Sequence, residues 1–406
     1  FLFFQTPLFS ELSRSSFSDR LLPSNTITPE QNNLTASSIV SPLRLVQRND
    51  FACFGSDHLT TADAEFENVG TFLGEAIGSA HNIGNITEEM FFSALNVPGI
   101  YFDFLSELPL EALAARLGVN APFGQTINVR RCLLFVSTAS EYATLYLQSS
   151  ADGYLSFSTA VSTYSLSSYL ETIDGNEADF ALNLEEYAAL SPYTLILNDT
   201  SPRKELSASN ALADFSTEEL LRLCEFNAHT KDRYTESSGT VVILETQRTL
   251  RLYPDGTIDY LGGNSEPDSL FHVSSASGQH PSRLEALNSA QNLLGTLTQG
   301  RIGNAELYVH AVERTSSGFH ITFDYMSDGT PIRFADGSYA AEVTIEGTNI
   351  ISFSLKLRRY TNTEQECLLL PFVQAAAIGA AYQNAELSII YIDAGTDTLT
   401  ACWIAD

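Results

Sequence analysis

Carboxylates are the most abundant reactive groups in this chain, and their spacing argues against catalysis. Glu88-Glu89, Glu185-Glu186 and Glu218-Glu219 are adjacent pairs. Adjacent residues on a helix point to different sides, so such a pair cannot present both carboxylates to one substrate and reads as a solvated helix start. Asp324…Asp328-Gly329 and Asp393…Asp397 gather acids at turns. They lack the D-x-D-x-D-G…E spacing of a calcium loop and read as hairpin turns. The seven histidines form no H-x-x-x-H or H-x-H pair. His310 and His320 can face each other across a hairpin centred on Ser316–Gly318, either as a metal pair or, as expected here, as polar residues of a half-buried sheet face. The five cysteines (Cys53, Cys132, Cys224, Cys367 and Cys402) are widely spread in apolar surroundings and form no CxxC. They read as small buried hydrophobes, with no disulfide framework implied. No nucleophile elbow, S-x-x-K, Walker loop or strand-linked G-x-G-x-x-G occurs. The sequence therefore assigns no catalytic, cofactor-binding or metal-binding residue, and the chain reads as a binding or regulatory module, not an enzyme.

Composition narrows the class of partner. The formal net charge is −28, with only three lysines: Lys204, Lys231 and Lys356. Such a field repels phosphate backbones and anionic headgroups, which disfavours nucleic-acid binding. An apolar content of 44% over 406 residues supplies more than one packed core, so two or three domains are expected. No apolar run reaches the length of a membrane span. The start, Phe1-Leu-Phe-Phe4 then Pro7-Leu-Phe9, is apolar enough for either an interfacial stub beside a removed membrane anchor or a docked strand.

The elements follow from periodicity. Residues 1–40, rich in Ser, Thr, Pro and Asn, read as a stalk or linker. Thr61-Ala-Asp-Ala64 opens a helical run with Phe66, Val69, Phe72 or Leu73, Ala76 and Ile77 on one face. Pro109 opens a second helix through Leu110, Leu113 and Leu117. Strand-like runs are Gly99–Phe104, Arg131–Val136, Thr144–Gln148 and Tyr154–Ser158, while Tyr164–Leu170 fits strand or helix. Ser191–Leu197 is extended, and the polar stretch Asn198–Ser209 is the best internal boundary. Ser216-Thr-Glu-Glu219 and Ser282-Arg-Leu-Glu285 are capping boxes, the second ahead of Leu284, Leu287, Ala290, Leu294 and Leu297. Four alternating runs follow: Glu306–Arg314, Gly318–Tyr325, Ser338–Glu346 and Ile350–Leu357. The pattern then restarts in shortened form with a helix from Pro371 and strands at Leu387–Ile392 and Thr398–Ile404. The expected fold is α+β and multi-domain, with antiparallel meanders packed by helices. A 41–200 domain, a 201–281 middle domain and a 282–406 domain follow the stalk, with the shortened repeat at 370–406.

Between Phe226 and Gly263, a polar loop leads to β-runs carrying Val241, Ile243, Leu250, Leu252, Tyr253 and Tyr260, with Asp255-Gly256 as a positive-φ turn. This segment, Phe226-Asn-Ala-His…Arg233-Tyr-Thr-Glu…Arg251-Leu-Tyr-Pro-Asp-Gly-Thr-Ile-Asp-Tyr260, resembles the middle region of YycH proteins. Gly99–Phe104 with Leu108-Pro109 is similar to the amino-terminal domain of that family. Arg283…Ala290…Leu294 and the meander through Phe323–Pro331 resemble the carboxy-terminal units shared by YycH and YycI. Leu387–Tyr391…Cys402-Trp403-Ile404 resembles a YycI-type ending. The resemblance covers most of the chain after residue 40, and element order carries it more than any single motif. It implies an extracytoplasmic, non-enzymatic regulator in a Gram-positive-type bacterium, anchored by an amino-terminal membrane helix that is not in these 406 residues. Its implied partners are a membrane sensor histidine kinase of a cell-wall two-component system and a YycI-like sister protein. Unlike the family, this chain is strongly acidic and lysine-poor. A regulator working by contact should expose an apolar or mixed patch on a sheet edge or face of the second half. The alternative is an extracellular peptide- or glycan-binding domain, with Tyr101, Tyr142, Tyr146 and Tyr154 lining a cleft.

Overall fold

In the computed structural model, the residues described are 42–58, 64–122, 127–198, 202–275, 278 and 280–406. The chain divides into the units Phe1–Leu34 and Thr35–Asp406, and every described residue belongs to the second. The expected stalk, the apolar start and Thr61–Asp63 lie outside the described residues.

The amino-terminal part holds β1 (Arg44–Arg48), β2 (Cys53–Ser56), α1 (Ala64–Ser79), β3 (His81–Asn85), α2 (Glu88–Ala94), β4 (Gly99–Pro109), α3 (Leu110–Arg116), β5 (Asn128–Phe135), β6 (Tyr142–Ser149), β7 (Gly153–Ser162) and α4 (Thr163–Leu170). Its seven strands form one antiparallel sheet ordered β2-β1-β4-β5-β6-β7-β3. Residue alternation gives the sheet two different faces. Leu45, Ile100, Phe102, Cys132, Leu134, Leu145 and Leu147 are buried in one core with Val69, Leu73, Ile77, Leu113 and Leu166 of α1, α3 and α4. Phe66, Val69, Leu73, Ala76 and Ile77 are all buried, as the helical spacing required. The ambiguous Tyr164–Leu170 is helix: Ser162 caps it by accepting from Ser165 N. Pro109 ends β4, and α3 begins one residue later.

A two-stranded pair, β8 (Asp179–Phe180) and β9 (Leu195–Ile196), leads to β10 (Lys204–Asn210). The polar boundary stretch therefore contains a strand, because Leu206 and Ala208 alternate with its polar residues and are buried. Next come α5 (Thr217–Leu223), β11 (Arg233–Thr235), β12 (Val241–Glu245), β13 (Arg248–Leu252), β14 (Thr257–Leu261), α6 (Arg283–Thr298), β15 (Ala305–Arg314), β16 (Gly318–Ser327), β17 (Thr330–Phe334), β18 (Ala341–Glu346), β19 (Asn349–Lys356), β20 (Arg358–Glu366), α7 (Phe372–Gly379), β21 (Leu387–Asp393), β22 (Thr398–Leu399) and β23 (Ala401–Ala405). Eleven of these strands share one sheet, ordered β11-β12-β13-β14-β19-β18-β16-β17-β21-β23, with β15 also paired to β16. The expected four runs are β15, β16, β18 and β19, paired antiparallel in the order β15-β16-β18-β19. The middle meander joins them through β14 and β19. The shortened repeat joins through the parallel pair β17–β21. Strands β17 and β20 and the short edge strand β11 gave too weak an alternation to be expected.

Local signals held where they were strongest. Gly256 has φ +98° in the β13–β14 turn, a conformation open to glycine at little steric cost. Ser282 Oγ accepts from Glu285 N (3.2 Å) while Glu285 Oε2 accepts from Ser282 N (2.7 Å), a complete capping box. At α5 only the first half forms: Ser216 Oγ accepts from Glu219 N, and the Glu219 carboxylate pairs with Arg301 at 2.6 Å. Ser282→Ala is expected to lower stability by about 1 kcal/mol, read as a lower urea midpoint with unchanged slope.

Candidate functional site

The face of the amino-terminal sheet away from α1 and α3 carries a row of polar side chains at matching register. Arg44 on β1 sits opposite Asp103 on β4, Asp103 opposite Arg131 on β5, and Arg131 opposite Gln148 on β6. Arg131 Nε donates to Asp103 Oδ2 (3.1 Å) and its Nη1 to Gln148 Oε1 (3.1 Å). Tyr101 Oη donates to the same Asp103 oxygen at 3.2 Å. Glu386, just before β21, meets this row from the other sheet. It accepts from Arg44 Nη1 (2.5 Å), Arg131 Nη2 (2.6 Å) and Arg130 Nη2 (3.3 Å). Arg44 also donates to Leu387 O (3.0 Å) and Ser388 Oγ (2.6 Å), so β1 grips the backbone of β21 directly. Asp103 is fully buried, and Arg44 and Arg131 nearly so. Burial alone would raise the Asp103 pKa, but Arg131, Arg44 and Arg130 outweigh it and hold the carboxyl below its ordinary value.

Apolar contacts surround this ionic centre. The β4–β5 ladder breaks after Asp103, and Leu105 adopts φ +56° with its N–H donating to Asp103 Oδ1 at 2.9 Å. The bulge places Leu105 against Leu43, Tyr308 and Met326, which couples β4 to the large sheet. On another side Leu190, Ile196 and Ala181 pack with Ala375, Ala376 and Leu387. The joint fixes where β21 and α7 sit relative to the amino-terminal sheet.

Outside the joint, α7 and β23 frame an open apolar groove of about 590 Å³. The inner side of α7 is small: a Cβ at Gly379 would lie 2.8 Å from Leu387 Cδ2, so glycine lets the helix approach β21 closely. Among the described residues its outer side is apolar and uncovered, with Val373 66% and Ile378 58% exposed, and Tyr382 in the turn that follows the helix is 62% exposed. Leu368 is fully exposed and Leu370 is 47% exposed on the neighbouring wall. No charged residue occurs from Leu368 to Asn384. The Trp403 indole N–H donates to Leu370 O at 2.9 Å, and its ring meets Phe372 edge-on at 5.7 Å. Among the described residues strand β23 pairs only with β21 and is a sheet edge. Asp406 and Glu386 exchange both backbone hydrogen bonds. By antiparallel alternation the N–H and C=O groups of Trp403 and Ala405 therefore point away from β21, toward the open side. This is the expected apolar patch at a sheet edge of the second half.

The other sequence candidates behave as structural groups. Tyr101 is buried against Phe180, and the half-buried Tyr146 and Tyr154 pack around Phe91, so these three belong to one aromatic cluster, while Tyr142 is half exposed. They form no shared cleft. Burial, and then the hydrogen bond to Glu88, push the Tyr154 hydroxyl up to about 12. His310 and His320 do not meet: His310 Nδ1 lies 2.8 Å from Asp324, and His320 Nδ1 lies 3.3 Å from Thr344 Oγ1. Among the described residues no hydroxyl or thiol hydrogen-bonds the remaining His310 nitrogen, and no group of three or more acids, histidines or cysteines is arranged to hold a metal. Burial pushes the Cys53 thiol up to about 11 and the Cys224 thiol up to about 12, which keeps them protonated near neutral pH and poor as nucleophiles. A shallower, polar concavity of about 320 Å³ lies on the large sheet around Arg251, Asp259, His320 and Glu342. No helix among the described residues is long and apolar enough to cross a membrane.

Sequence reasoning missed Glu386 and Arg44, whose types give no sign of partners more than three hundred residues away. The only local hint is an acid placed directly before an apolar strand.

No model of a known protein family matches the chain, and no curated protein matches it. Among solved structures, the fold is similar to the crystal structure of YycH from Bacillus subtilis, with a TM-score of 0.56 and 10% sequence identity over 91% of this chain and 94% of that one. The chain is a mixed α+β protein with a YycH-like fold.

Proposed function

We propose that this chain is a non-enzymatic extracytoplasmic regulator that sets the activity of a membrane sensor histidine kinase of a cell-wall two-component system by protein contact. The observation that carries the reading is the correspondence of fold with YycH over nearly the full length of both chains. The same resemblance extends the proposal to a YycI-like sister protein as second partner and to an amino-terminal membrane helix as anchor. Support also comes from the site: protonated thiols, a packed tyrosine cluster and an exposed apolar edge suit contact better than turnover. Affinity capture with the tagged full-length protein from its native membranes, after mild cross-linking, is expected to recover a sensor histidine kinase. Repeated capture that yields neither a kinase nor a sister protein would remove this reading.

A further inference from the structure

We infer that the groove between α7, the Leu368–Leu370 segment and the edge of β23 takes an extended apolar segment of a partner protein, flanked by basic residues, which adds to β23 as a further strand. The inference takes from the preceding reading only that the chain works by protein contact, and its assay contains no kinase, so the two can fail separately.

The backbone sets the form of the ligand. Trp403 and Ala405 leave N–H and C=O groups directed outward from an edge strand, and an incoming strand satisfies both kinds of group at once. A helix has no free backbone groups to offer along its length and would leave them to water. The walls set the ligand's side chains. Ile378, Tyr382 and Leu368 flank the edge with exposed apolar surface, so residues alternating along the added strand meet an apolar wall.

Charge selects among the possible occupants. Among the described residues that line the groove the only charged side chain is Asp406, at its end, where it pairs with Arg333 at 2.9 Å. The whole chain carries −28. A second copy would bring two such fields together across a contact with no basic side chain in its lining to offset them, and an anionic membrane surface would be repelled for the same reason. A segment with lysine or arginine at its ends is drawn in and leaves its apolar centre for the walls.

Trp403 is the only tryptophan in the chain and lines this groove, so its fluorescence responds to binding there. The probe is a ten-residue peptide with a core of alternating Val, Thr and Ile and two lysines at each end. Titrated into the full chain, it is expected to blue-shift the emission and to protect the indole from acrylamide. The same core with glutamates at its ends should bind at least about tenfold more weakly. Ile378→Lys and Tyr382→Lys change exposed side chains, so folding is not at stake, and each should weaken the lysine-flanked peptide by about tenfold. Tyr164→Lys, on α4, should leave binding unchanged. An unresponsive Trp403, equal binding of the two peptides, a response to phosphatidylcholine vesicles but not to peptide, or a stable dimer in sedimentation that seals the groove would each overturn the inference.

Discussion

Asp103→Ala is expected to destabilise the folded chain by about 3–5 kcal/mol, a large part of the 5–15 kcal/mol that holds an ordinary domain together. Asp103 is fully buried and faces Arg131, Arg44 and the Tyr101 hydroxyl. Removing it leaves two buried guanidinium groups with Glu386 as their remaining carboxylate, so the cost is uncompensated charge more than a lost contact. Urea unfolding of the variant reads this directly. The double variant Asp103→Leu with Arg131→Met should recover part of the loss, because the coupled pair is then removed together. The same site predicts a pH dependence. A carboxylate with a depressed folded-state pKa stabilises the fold above its unfolded pKa, about 3.9, and that contribution is lost as pH falls through the folded value. Wild-type stability should therefore drop as pH falls below about 4, and the drop should be shallower in Asp103→Asn. Equal acid sensitivity in the two proteins would show that the arginines do not hold this group ionised.

The second large effect is expected at Phe271, where alanine should cost about 3–5 kcal/mol. The ring is fully buried and stacks 4.3 Å from Tyr260, which in turn stacks 5.5 Å from Phe353. Its backbone oxygen accepts from Ile350 N at 2.8 Å. Tyr260 belongs to the middle meander and Phe353 to β19, so the column bolts the two meanders together where β14 pairs with β19. Phe271→Ala opens a cavity the size of a phenyl ring within that bolt. Chemical denaturation should give a lower midpoint with an unchanged slope. A loss below about 1 kcal/mol would mean that the strand pairing alone joins the meanders.

Regular elements with a strong period were legible before the structure. Phe66, Val69, Leu73 and Ile77 announced α1, Ser282 and Glu285 announced the start of α6, and Asp255-Gly256 announced the β13–β14 turn. Each depends on neighbours within a few residues, which is the range over which a sequence speaks plainly. Strands such as β10 and β20 were illegible, since Lys204–Asn210 and Arg358–Glu366 read as polar while only alternate residues reach the core. Phe271 sat in a polar connection and drew no notice, because its partners are supplied by strands on both sides of it. The joint was hidden for the same reason. Nothing near Glu386 reveals the three arginines that converge on it, and the register that aligns Arg44, Asp103 and Arg131 exists only in the folded sheet. The apolar edge was expected in kind, as an apolar or mixed patch in the second half. Its place depended on which strand ended the large sheet, and the parallel pairing of β17 with β21 decides that.

The proposed role, a change in the activity of a membrane sensor kinase by contact, is open to direct measurement. The most direct measurement is the kinase autophosphorylation rate in native membranes that contain the full-length protein, lack it, or lack it and receive it back. The rate is expected to change by about twofold or more on removal and to return on restoration, with no chemical change in the kinase beyond its own phosphorylation. An unchanged rate in membranes where the protein is present and folded would contradict it.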